Sequence, residues 1–120
     1  MKGHHKLGIY EKSYESALMM YEMTKGFPKE ERFAMADQVR RAATSVPLNI
    51  AEGYAKRESQ AEFKRFLMMA IGSNTEISVL LDFARNLGYI SEAEYEKANA
   101  ANEETGRMLS SFIKTVSDKI

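Results

Sequence analysis

The sequence predicts an all-α protein built as an antiparallel up-down-up-down four-helix bundle. Three observations carry this. Apolar residues recur at steps of three and four along the chain, the helical period. Two prolines and seven glycines in 120 residues leave few turn signals of the kind that separate strands. Periodic segments at about 8–25, 29–57, 60–87 and 92–118 are joined by links of two to four residues, and helices joined so tightly run antiparallel to their neighbours.

In the first segment Tyr10, Tyr14, Ala17, Leu18 and Tyr21 form one helical face. Gly26 is expected to end that helix in a left-handed cap, which costs glycine nothing sterically. Pro28 suits a helix start, and Glu30 and Glu31 follow where acids complement the positive dipole end. The second helix places Val39, Ala42, Val46, Ile50 and Gly53 on its apolar face, with Pro47 in its interior. Pro47 has no N–H for the Ala43 carbonyl. A bend within one continuous helix is expected there, with a side chain, for which Thr44 and Ser45 are well placed, or water recovering the freed oxygen.

Ser59 with Glu62, and again Ser91 with Glu94, have capping-box spacing and open the third and fourth helices. The third carries Phe63, Phe66, Leu67, Ala70, Ile77, Leu81 and Ala84 on one face and closes at Gly88. Asn74 shares the apolar phase of that helix and so needs a hydrogen-bond partner. The fourth turns Tyr95, Ala98, Thr105, Leu109, Phe112 and Val116 inward.

Lys+Arg and Asp+Glu number 17 each, and 44% of residues are apolar, a composition that belongs to a folded chain rather than a disordered one. The absence of cysteine excludes a disulfide scaffold, a zinc-thiolate site, an iron–sulfur cluster and a cysteine nucleophile. No apolar run approaches ~18 residues and no signal-type stretch opens the chain, so a cytoplasmic protein with no membrane contact is expected. His4 and His5 are the only histidines and precede the first helix. A di-iron bundle needs Glu-x-x-His pairs and a haem bundle an axial histidine, and neither is available inside the helices. No phosphate-cradling glycine loop, Gly-x-Ser-x-Gly elbow or serine with a nearby histidine base occurs. The expectation is no enzyme, no cofactor and no metal. Eight methionines, paired at Met19–Met20 and Met68–Met69, read as gap-fillers in the core or at a subunit contact.

The second helix is the informative one. Gln38, Arg41, Ser45, Asn49 and Glu52 fall within about 80° around its axis. Arg65, Gly72, Ser73 and Glu76 follow a similar seam on the third. Ser45, Asn49 and Ser73 are short polar residues of poor helix propensity, which a merely solvated face has no reason to favour. The stripe therefore reads as a partly buried hydrogen-bonded seam between helices or subunits, with Arg41 near Glu52 or Glu76.

The runs Phe27–Pro28–Lys29–Glu30–Glu31 and Gln38-x-x-Arg41–Ala42–Ala43-x-Ser45–Val46–Pro47-x-Asn49–Ile50–Ala51–Glu52–Gly53 resemble the bacterial four-helix bundle protein family, also called the 23S ribosomal RNA intervening-sequence protein family. Phe63-x-x-Phe66–Leu67-x-x-Ala70-x-Gly72–Ser73-x-x-Glu76 and Leu87–Gly88–Tyr89–Ile90 extend the resemblance over nearly the whole chain. It implies a bundle that assembles as a ring-like homopentamer, and it implies no enzymatic activity. Some relatives are encoded within insertions in ribosomal RNA genes. Others are accessory proteins of diversity-generating retroelements, acting with a reverse transcriptase and nucleic acid.

Charge is unevenly spread. Residues 25–65 hold nine Lys/Arg against six Asp/Glu, a net +3, and residues 66–120 hold five against eight, a net −3. Lys56, Arg57, Lys64 and Arg65 gather around the link between the second and third helices. Two readings stand open. In one, the chain is a non-catalytic oligomeric scaffold that binds RNA, DNA or a nucleic-acid enzyme through basic helix ends. In the other, it is a protein-binding adaptor with no nucleic-acid contact, and the charge asymmetry serves assembly.

Overall fold

The computed structural model describes residues 3–117. Four helices make up the fold: α1 (Gly8–Thr24), α2 (Met35–Ala55), α3 (Gln60–Asn86) and α4 (Glu92–Ser117). Short 3₁₀ turns at Gly3–Lys6 and Lys29–Glu31 precede α1 and α2, and the described residues contain no strand. The body measures 45 × 23 × 21 Å, its long dimension close to the roughly 40 Å that 27 helical residues span.

α1 and α3 each pack on both α2 and α4, while the diagonal pairs do not meet, so the helices stand at the corners of a square. The links alternate between ends. Tyr89, after α3, donates its hydroxyl proton to Glu31 Oε2 at 2.6 Å, and its ring lies 5.6 Å from that of Phe27, after α1. The first and third links therefore share one end, and the α2–α3 link forms the other.

Val39, Ala42, Val46, Ile50 and Gly53 of α2 and all seven expected apolar residues of α3 are buried. On α4, Ala98, Thr105, Leu109 and Val116 are buried, and Tyr95 and Phe112 pack partly buried against the core. α1 is different. Its buried face is Ile9, Ser13, Ser16, Ala17, Met20, Met23 and Thr24, whereas Tyr14, Leu18 and Tyr21 are exposed. The aromatic stripe of α1 thus looks outward, and only Ala17 of the expected set is fully buried.

Helix ends show which local signals operate. At the end of α3, Tyr89 N–H donates to the Ala84 carbonyl (2.8 Å) and Gly88 N–H to that of Arg85 (3.0 Å). With Gly88 at φ +77°, this is a Schellman closure that glycine alone enters without strain. Gly26 is not in the left-handed region, contrary to the expectation. α1 ends instead in tight turns, with Gly26 N–H donating to the Met23 carbonyl. The second helix starts at Met35 rather than at Lys29, because the Pro28 turn makes only i→i+3 bonds and the backbone then leaves helical geometry at Ala34 (φ −123°, ψ −99°). Glu31 reaches across this break and accepts the Met35 N–H at 3.4 Å.

α2 runs unbroken through the buried Pro47. Neither expected side chain serves the Ala43 carbonyl. Thr44 Oγ1 donates to the carbonyls of Arg40 and Arg41, and Ser45 Oγ pairs with Ser73. Gly53 lies close against α3: a Cβ there would lie 3.0 Å from Phe66 Cβ and 3.3 Å from the Phe63 carbonyl oxygen. By length and composition alone α3 could cross a membrane, with an 18-residue window of mean hydropathy 1.3. A third of that window is buried inside the bundle, and the helix packs along α2 and α4.

Candidate functional site

The polar stripe divides in two. At its centre Ser45 Oγ and Ser73 Oγ meet at 2.8 Å across the α2–α3 contact, and either can be the donor. Asn49 Nδ2 donates to Ser45 Oγ (3.0 Å) and to the Ser45 carbonyl (2.9 Å). This half-buried trio belongs to the inside of one chain. Gln38, Arg41, Glu52 and Glu76 are exposed. Arg41 does not approach Glu52 or Glu76. It pairs loosely with Asp37 one turn back at 3.6 Å, with 79% of its side chain in water, because an i,i+4 partner is within reach without any tertiary contact.

Asn74 has found its partner on α4. Its Nδ2 donates to the Asn102 carbonyl (3.2 Å) while Asn102 Nδ2 donates to the Asn74 carbonyl (3.0 Å), a reciprocal pair that fixes the register of the two helices. Gly106 makes room for it, since a Cβ there would stand 2.9 Å from Asn74 Nδ2. Asn102 carries no sequence signal for this role beyond its inward phase, because the pairing spans 28 residues.

The basic residues gather at the α2–α3 end. Arg57 stacks over Tyr54 at 4.0 Å and donates to the Tyr54 carbonyl, and Lys56 Nζ lies 5.0 Å over the Phe66 ring. Arg65 lies over the same ring from 4.6 Å. It also forms two hydrogen bonds to Glu62 (2.8 and 3.2 Å), which hold the Glu62 carboxyl below its usual range and the guanidinium above its own. Ser59 Oγ accepts the Glu62 N–H, so only half of that capping box is formed; at Ser91 and Glu94 both halves are. Lys56, Arg57 and Lys64 form no ion pair among the described residues. The His4 and His5 rings lie tilted against each other and meet Tyr10 edge-on, and no group of three or more potential metal ligands converges among the described residues.

Apolar surface is the feature the periodicity misplaced. Tyr10, Tyr14, Leu18 and Tyr21 of α1 and Pro47 and Leu48 of α2 line a groove of about 510 Å³. On α3, Met68 and Met69, and further along Val79 and Phe83 with Leu87 at the C-cap, are exposed on the side turned away from the core, with exposed Gly72, Thr75 and Glu76 between the two groups. The recurrence of Val79, Phe83 and Leu87 at steps of four is the signal of the second group in the sequence, overshadowed by the richer inner face of the same helix.

The model of the 23S rRNA-intervening sequence protein family matches residues 5–111. The chain belongs to this family. Among solved structures it is similar to a protein of unknown function from the S23 ribosomal protein family of Bacteroides thetaiotaomicron VPI-5482. The two are 30% identical with a TM-score of 0.81, over 88% of this chain and 95% of that one. Comparison with curated protein sequences finds no match. The intervening-sequence protein family thus brings a shared bundle.

Proposed function

We propose that this intervening-sequence family protein is a non-catalytic cytoplasmic scaffold that self-assembles through its uncovered apolar faces and contacts nucleic-acid phosphates with its basic end. The observation that carries the reading is the presence of two separate apolar surfaces, the α1–α2 groove and the outer stripe of α3. α1 and α3 are diagonal in the bundle, so one two-fold contact through either surface would leave the other in water. A heterologous contact, with the α3 stripe of one copy in the groove of the next, covers both, and it makes a ring when the rotation between copies closes. Five copies is the number the family resemblance implies.

A ring repeats the α2–α3 end of every copy on one rim. Lys56, Arg57 and Lys64, with no ion pair among the described residues, supply cations there, Lys56 lying over the Phe66 ring and Arg57 over that of Tyr54. A neutral chain can bind phosphate this way because symmetry concentrates one sign of charge. Binding of this kind is largely sequence-independent and falls with salt, with a log–log slope near −0.7 to −0.9 per phosphate neutralised.

Gel-shift titration at low salt with structured RNA, single-stranded DNA and duplex DNA tests the reading. Binding that weakens with salt, and is lost in the Lys56→Glu/Arg57→Glu double variant while the oligomer persists, is the expected result. No binding to any of the three at about ten micromolar protein, well within the range of ordinary non-specific affinity, would favour a protein-binding adaptor. One observation already leans that way: Glu62 occupies the Arg65 guanidinium.

A further inference from the structure

The centre of the bundle encloses a small cavity with polar walls. Ser13 and Ser16 of α1, Asn74 of α3, and Asn102 and Thr105 of α4 line it among apolar neighbours, and it leaves about 10 Å³ for the centre of a water-sized molecule. Most polar atoms on its walls are satisfied. Ser13 Oγ donates to the Tyr10 carbonyl, Thr105 Oγ1 to that of Ala101, and the Asn74 and Asn102 amide nitrogens are tied to each other's backbone. Two atoms have no hydrogen-bond partner, Ser16 Oγ and Asn74 Oδ1, and both are shielded from solvent. Both belong to residues on the wall of this cavity, and Ser16 is only 6% exposed.

We infer that the cavity is a binding site for one ordered water molecule bridging Ser16 on α1 to Asn74 on α3, across the diagonal of the bundle. Buried polar groups are rarely left unpaired, and about 10 Å³ for the molecule's centre is the least that one water needs in a polar cavity, whereas an apolar one stays dry. The chemistry of the two atoms selects the ligand. Asn74 Oδ1 can only accept and Ser16 has a proton to give, so the bridging group must both donate and accept. Water does this with the least volume. It accepts from Ser16, donates to Asn74 Oδ1, and has a second proton for the Ser13 or Thr105 hydroxyl oxygen, each of which keeps lone pairs free. Three hydrogen bonds are the usual complement of a buried water.

A crystal structure at about 1.5 Å of the full chain, alone and as Ser16→Val, tests the site. The expected result is a single density peak at hydrogen-bond distance, roughly 2.7–3.2 Å, from both Ser16 Oγ and Asn74 Oδ1. It should vanish in Ser16→Val, whose methyl groups fill the space. No peak in the unsubstituted chain, with Ser16 Oγ turned onto a backbone carbonyl of its own helix, would overturn the inference. So would a peak that persists unchanged in the variant. Should Ser16→Val not fold, water-to-protein Overhauser transfer in the unsubstituted chain decides: a long-lived water beside the residue 16 and 74 protons is expected, and its absence refutes the site.

Discussion

Two glycines inside helices make opposite predictions for one substitution. At Gly53 an added Cβ would meet Phe66 Cβ at 3.0 Å, Phe63 Cδ1 at 3.1 Å and the Phe63 carbonyl oxygen at 3.3 Å. Two of those atoms are rooted in the α3 backbone, so the helices themselves must part by a few tenths of an ångström. At Gly72 a Cβ would find nothing within 4 Å. Alanine gains about 1 kcal/mol over glycine in a helix interior at both sites. Only Gly53→Ala also carries the cost of overpacking, about 1–3 kcal/mol. Propensity cancels between the two variants, so Gly72→Ala should be the more stable by about 1–3 kcal/mol. Gly72→Ala should also exceed the unsubstituted chain by up to about 1 kcal/mol. Urea unfolding followed by circular dichroism at one fixed protein concentration measures both differences, the fixed concentration holding any assembly constant. Equal midpoints, or a more stable Gly53→Ala, would refute the tight fit of Gly53 against Phe63 and Phe66 of α3.

Tyr89 has its phenol pushed above the ordinary tyrosine range because its proton is held by Glu31, so it favours the folded state while protonated. That contribution is complete below the ordinary value near ~10 and is lost as pH rises through the raised folded value. Absorbance titration of tyrosinate should show a late-ionising component shared by Tyr89 and by Tyr95, which is held by Asp82, and Tyr89→Phe should reduce that component by one phenol. Asn102→Ala removes the donor to the Asn74 carbonyl and should cost about 1–3 kcal/mol in the same urea assay; a neutral result would mean that the reciprocal pair does not fix the α3–α4 register.

The inner faces of α2, α3 and α4 were legible because each is a dense apolar stripe with few competitors on its helix. α1 was not, since its richest stripe, Tyr10, Tyr14, Leu18 and Tyr21, is mostly outside, while its buried face includes Ser13 and Ser16. Periodicity reports that a face is apolar and is silent on what covers it. Lys56, Arg57, Lys64 and Arg65 could be grouped from the sequence because one short link brings them together. Ser45–Ser73 and Asn74–Asn102 each span 28 residues, and their meeting depends on helix register, which no local signal sets. Arg41 followed the opposite logic: its nearest carboxylate on the helix surface, Asp37, outcompetes partners that require burial.

Self-assembly through unlike faces fixes the molar mass of the protein in solution. Light scattering on the purified chain at micromolar concentration should report several times the 13.6 kDa chain mass, five times if the ring closes at the number the resemblance implies. Leu48→Glu in the groove and Phe83→Glu on the α3 stripe alter exposed side chains, 59% and 55% accessible, so each should fold as the parent does. Each alone should run as a single chain, and an equimolar mixture should recover a two-chain species, because each variant retains the face the other lacks. An unsubstituted chain that stays at 13.6 kDa would contradict the account.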